Sequence, residues 1–86
     1  MQLRTDDLSW REVDEDVVVL DERTWKYVHL NPTASLLWRS LAADGGASEA
    51  ELSARLVENF PGAAPTADAD VAAFLADLRA REYLVA

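Results

Sequence analysis

The chain has 86 residues, half of them apolar and none of them cysteine. This is enough for one compact core and excludes disulfide staples, thiolate metal sites and a cysteine nucleophile. Sixteen acidic against eight basic side chains give a formal charge of −8, a field that repels phosphate backbones. No apolar run is long enough to span a membrane or to serve as a signal-peptide core, so a cytoplasmic single domain covering residues 1–86 is expected.

A domain of this size buries only roughly 60–65 % of the surface of its unfolded chain, which favours surface recognition over a deep, dry catalytic cavity. Leu8, Trp10 and Val13 mark a first strand, and Asp14-Glu15-Asp16 reads as a turn. Val17-Val18-Val19-Leu20 is apolar on both alternating faces, as expected of the central strand of a small covered sheet. After the polar turn Asp21-Glu22-Arg23, Thr24 to Leu30 alternates Trp25, Tyr27 and His29 with Lys26, Val28 and Leu30, completing an antiparallel three-stranded meander.

Asn31-Pro32 opens a first helix over about 32–43, because Asn caps with its side-chain oxygen and Pro is tolerated at the first helical position. Its apolar stripe is Ala34, Leu37, Trp38 and Leu41, and Gly45-Gly46 follows as a stop. Ser48-Glu49-Ala50-Glu51 is a capping box for a second helix over about 49–59. Pro61-Gly62 and Pro65 break the chain; Thr66 or Asp68 then caps a third helix with Val71, Phe74, Leu75 and Leu78 inward, ending near Arg81. The tail Tyr83-Leu84-Val85 is expected to tuck back against the helices or the sheet. The fold class is α+β and winged-helix-like, with a three-stranded antiparallel N-terminal sheet followed by a three-helix bundle.

His29 is the only histidine and has no serine, cysteine or second histidine at a spacing that builds a triad or a metal site, so no catalytic residue and no metal ligand is assigned. The acidic pairs Asp6-Asp7, Asp14-Asp16, Asp21-Glu22 and Asp68-Asp70 lack the glycine-punctuated ladder of a calcium loop and read as turns and caps. A winged helix would offer its second helix to DNA, but here that helix displays Glu49, Glu51 and Glu58 against Arg55 alone. The strand Thr24–Leu30 is left as a sheet edge rich in aromatic and β-branched residues, with Lys26 as its one gatekeeper. Such an edge is either covered by the third helix or the tail, or meant to pair.

The run Tyr27-Val28-His29-Leu30-Asn31-Pro32-Thr33-Ala34, then Leu37-Trp38, and later Asp70-Val71 with Phe74-Leu75 and Leu78, resembles the pyrroloquinoline quinone biosynthesis D (PqqD-like) family from about Val13 to Val85. The end of the match departs from the family's Gly-Leu pattern, since Tyr83 precedes Leu84 and no glycine stands there. The resemblance implies a leader-peptide recognition element of pathways that modify ribosomally made peptides, built of three strands and three helices. It implies that the precursor's leader adds as a strand to the third strand, in a groove with the third helix.

By position, Trp25, Lys26, Tyr27, Val28, His29 and Leu30 would supply the backbone ladder, and Asp70, Phe74, Asp77, Leu78 and Arg81 the groove wall, with Asp70 and Phe74 as the preferred pair. Proline at Val28 is expected to remove a donor from the free edge. The chain begins and ends at the domain's edges, like the free-standing form of the element. The resemblance thus implies either the leader-binding protein of a split lasso-peptide protease, with a cysteine protease or other modifying enzyme as partner, or a PqqD-type peptide chaperone. An adaptor that docks only an enzyme subunit is the alternative of a different class. No cofactor, nucleic acid or membrane partner is implied.

Overall fold

The computed structural model describes residues 1–85; Ala86, the last residue of the expected domain, lies outside the described residues. The strands are β1 (Gln2–Leu3), β2 (Leu8–Val13), β3 (Asp16–Asp21), β4 (Lys26–His29) and β5 (Leu84–Val85). The helices are α1 (Pro32–Ala42), α2 (Glu49–Asn59) and α3 (Ala67–Ala80), with a short 3₁₀ turn at Pro61–Ala63. The expected meander is present: β2, β3 and β4 form an antiparallel sheet in that order, with Trp10 opposite Val19 and Val19 opposite Val28.

The β2–β3 hairpin turns on Asp14 and Glu15, at φ 52° and 72°. This two-residue loop matches the twist of the strands because both residues are left-handed. The tail does return, but to a place the sequence did not indicate. β5 pairs with β1 as a second, two-stranded sheet, placing Leu3 opposite Leu84.

Only one face of β3 is buried. Val17 and Val19 point into a core completed by Leu37, Trp38 and Leu41 of α1, Leu52 and Leu56 of α2, Val71, Leu75 and Leu78 of α3, and Tyr83. The Tyr83 ring meets Trp38 edge-on, with centroids 6.1 Å apart, an arrangement the ring quadrupoles favour.

The helix starts follow local chemistry. Asn31 Oδ1 accepts from the Ala34 amide at 2.9 Å, and Ser48 and Glu51 exchange side-chain-to-backbone bonds at 3.1 Å each. The Ser48 amide and hydroxyl hold the Glu51 carboxyl below its ordinary pKa. Thr66 stands at the N-cap of α3, yet its hydroxyl donates to Asp70 Oδ2 at 2.9 Å and does not cap the helix. Gly46, at φ 69°, leaves room for the N-terminus: a Cβ there would lie 1.9 Å from the Met1 carbonyl oxygen, which accepts from the Ala47 amide.

The end of α3 explains the missing glycine. The Tyr83 amide donates to the Leu78 carbonyl and the Glu82 amide to that of Arg79, the two bonds of a Schellman cap. Glu82 occupies the left-handed position at φ 64°, where glycine is the unstrained choice. Glu82→Gly is therefore expected to raise stability by about 0.5–1 kcal/mol, read as a higher urea midpoint at unchanged slope. A lower midpoint would show that the Glu82 side chain matters more than its backbone.

Candidate functional site

The third strand is shorter than its sequence pattern. Thr24 and Trp25 belong to the turn after β3, because Asp21 pairs with Lys26 and closes a four-residue loop. Trp25 sits at φ 56° and is 73 % exposed, so it lies outside the ladder it was expected to join.

The Leu30 amide donates to the Val17 carbonyl at 2.9 Å, and this bond fixes the parity of the β3–β4 ladder. In an antiparallel pair, hydrogen-bonded and non-hydrogen-bonded positions alternate. With Leu30 bonded to Val17, the pairs Val28–Val19 and Lys26–Asp21 are also bonded inward, while Tyr27 and His29 turn their amides and carbonyls away from β3. β4 has no second neighbour among the described strands, so the free edge offers four backbone groups, two on Tyr27 and two on His29. This corrects the expectation for Val28: its amide serves the internal ladder, not the edge.

Side chains follow the same parity. Val28 and Leu30 pack partly buried against the core, whereas Tyr27, 66 % exposed, lies on the outer face opposite Leu20. His29 Nε2 stands 3.2 Å from Asp16 Oδ2 at the exposed far end of the strand.

Ser35, fully buried on α1, completes this end of the sheet. Its hydroxyl accepts from the Val17 amide at 2.8 Å and donates to the Leu30 carbonyl at 3.2 Å, satisfying the two groups that the last pair leaves unjoined. Sequence reasoning passed over Ser35; a hydroxyl beside the apolar stripe of α1, where Ser40 is another, was its only signal.

On α3 the expected wall residues separate. Asp70 and Phe74 line one cleft of about 380 Å³ with Asn31, Thr33, Leu37 and Leu56, so the preferred pair does come together. Phe74 is half-buried at its rim. Leu78 is only 2 % exposed and belongs to the core, because Val71, Leu75 and Leu78 form the inward stripe of the helix and leave Phe74 beside it. Asp77 and Arg81 pair with each other at 3.1 Å on the helix surface, outside that cleft. Burial works against the charge on Arg81, but the Asp77 carboxylate outweighs it and raises the Arg81 pKa.

Extensive contacts of β4 run to β3 and those of α3 to α2, so strand and helix do not close on one another. A second, separate depression lined by Asp16, His29, Leu30, Asn31 and Pro32 shares Asn31 with the α3 cleft. Among the described residues no group of His, Asp and Glu is arranged to hold a metal ion, and no helix is long and apolar enough to cross a membrane.

This face of the domain thus combines a free strand edge with four outward backbone groups and, beside α3, a cleft lined by Asp70 and Phe74. Residues 16–84 match the model of the PqqD family, described as coenzyme PQQ synthesis protein D, and the chain belongs to that family. Two solved structures share the fold over nearly their whole length. One is TbiB1 in complex with the TbiA(beta) leader peptide, at TM-score 0.82 and 26% identity, covering 98% of this chain and 94% of that one. The other is lasso peptide synthetase B1 complexed with the leader peptide, at TM-score 0.80 and 29% identity, covering 99% and 96%. No curated protein matches the sequence.

Proposed function

We propose that this chain is a leader-peptide recognition domain with no catalysis of its own. It takes up the leader of a ribosomally made precursor as an added strand on β4, with alternate leader side chains directed toward Asp70 and Phe74. It then delivers the precursor to a leader-cleaving or modifying enzyme in the cytoplasm. The observation that carries this reading is the free edge at Tyr27 and His29, with Asn31 just beyond it lining the α3 cleft. Support comes from the two similar structures, both complexes with a leader peptide and one of them of a lasso peptide synthetase B1, and this favours a lasso pathway. The family description, which names a PQQ synthesis protein, favours a peptide chaperone of cofactor synthesis as the second reading.

Four edge hydrogen bonds contribute about 2–6 kcal/mol in all, no more than the cost of association, so side-chain anchors must supply the affinity. The deciding experiment is calorimetric titration with a synthetic peptide carrying the leader of the precursor encoded beside this gene. One-to-one binding is expected, whereas an adaptor that meets only an enzyme subunit would release no heat. Phe74→Ala should weaken binding about 30-fold, the effect of one anchor of about 2 kcal/mol. Because Phe74 is only partly buried, beside the inward stripe of α3, its loss of stability should be the smaller effect; unchanged affinity in the folded variant would remove Phe74 from the site.

A further inference from the structure

Trp25 occupies the last position of the four-residue loop between β3 and β4, with a left-handed backbone that suits glycine or asparagine. Among the described residues the other non-glycine positions with positive φ are Asp7, Asp14, Glu15 and Glu82, all acidic; Trp25 alone is bulky and aromatic. A large side chain in this conformation crowds the following carbonyl, and its indole recovers little by burial because it is 73 % exposed. Trp25 and Tyr27 are also the two most exposed large apolar side chains described, and both stand at the head of the free edge. Strain and exposure at one residue beside a binding edge point to a use for the side chain.

We infer that Trp25 is a specificity-determining residue: its indole receives an apolar or aromatic leader side chain just beyond the one that pairs with Tyr27. The inference rests on the strand-addition reading above. The left-handed turn ends the backbone ladder at Tyr27, so recognition past that point passes to side chains. The exposed indole offers an uncharged, apolar aromatic face, which makes an apolar or aromatic occupant the fitting one.

Trp25→Gly separates use from tolerance, because it relieves the backbone while deleting the indole. The thermal midpoint should stay level or rise, and the leader's Kd should increase at least tenfold by fluorescence anisotropy with the labelled synthetic leader. Trp25→Asn, which also tolerates the left-handed region, should behave the same way should the glycine variant fold poorly. In an alanine scan of the leader, one apolar position should lose at least tenfold against wild type and less than twofold against Trp25→Gly. A Kd within twofold of wild type in both variants would overturn the role of Trp25 while leaving strand addition intact. Absence of any leader binding by the wild type would overturn both.

Discussion

Proline at Tyr27 is expected to leave the chain folded and to weaken leader binding by tenfold or more beyond Tyr27→Ala, whereas proline at Val28 should damage the fold itself. The contrast follows from ladder parity. The Tyr27 amide faces the free edge, so its loss removes no internal bond, and proline is tolerated where an edge strand turns its amide to solvent. The missing donor accounts for about 0.5–1.5 kcal/mol of binding, and the pyrrolidine ring occupies the space where the peptide carbonyl would approach. At Val28 the same ring deletes a bond inside the sheet, strands the Val19 carbonyl and disturbs a side chain packed on the core, at a cost of about 2–4 kcal/mol. Urea melts read the first difference and titration with the leader the second. Undiminished binding by folded Tyr27→Pro would show that the peptide does not add to this edge.

That contrast could not be read from the sequence, and the reason is general. Alternation marks which side chains share a face, but which amides face outward depends on the bonded parity of the ladder, set here by the Leu30 amide on Val17 and by Ser35 behind it. Elements with local signatures were legible: α2 has the bounds its capping box implies, and α1 starts at Asn31-Pro32 as written. The first two residues of the third strand pattern, Thr24 and Trp25, fall in the turn instead, because Trp25 carries strand-forming chemistry into a left-handed position. β1 and β5 are two residues each, too short for any period, and exist only because the chain ends meet. On α3 the stripe Val71, Leu75, Leu78 was legible as apolar, but its offset from Phe74 by a fraction of a turn decided which residue is core and which is cleft. Asn31, Thr33 and Leu56 reach that cleft only through packing of three helices, which no local pattern encodes.

Arg4→Met should be the most destabilising single change in the N-terminal segment, although the sequence marks Arg4 as nothing more than one charge among many. Its side chain is buried. Nε donates to the Asp6 carbonyl at 2.8 Å, Nη1 to Glu82 at 2.9 Å and Nη2 to Asp7 at 3.3 Å, while the guanidinium lies 5.8 Å from the centre of the Tyr83 ring. Losing three charged bonds to carbonyls costs at least about 3 kcal/mol.

The effect should also depend on pH, because Arg4 lies 3.5 Å from Asp21. Burial works to raise the Asp21 carboxyl, but the Arg23 amide and the Arg4 charge outweigh it and hold the pKa below the ordinary value. A lowered folded pKa contributes stability that is complete above the unfolded value, near about 4, and fades as pH falls through the folded one. Without Arg4 the carboxyl keeps its burial and loses a partner, so its pKa rises and acid no longer costs the variant as much. The gap between wild type and Arg4→Met in urea melts should therefore be widest near neutrality and narrow by pH 3; a constant gap would break the link to Asp21. Arg4 also joins the Glu82 end of α3 to the hairpin that carries β4, and on the strand-addition reading it ties the strand edge to the helix. Folded Arg4→Met should accordingly bind the leader more weakly even where the melts show it fully native.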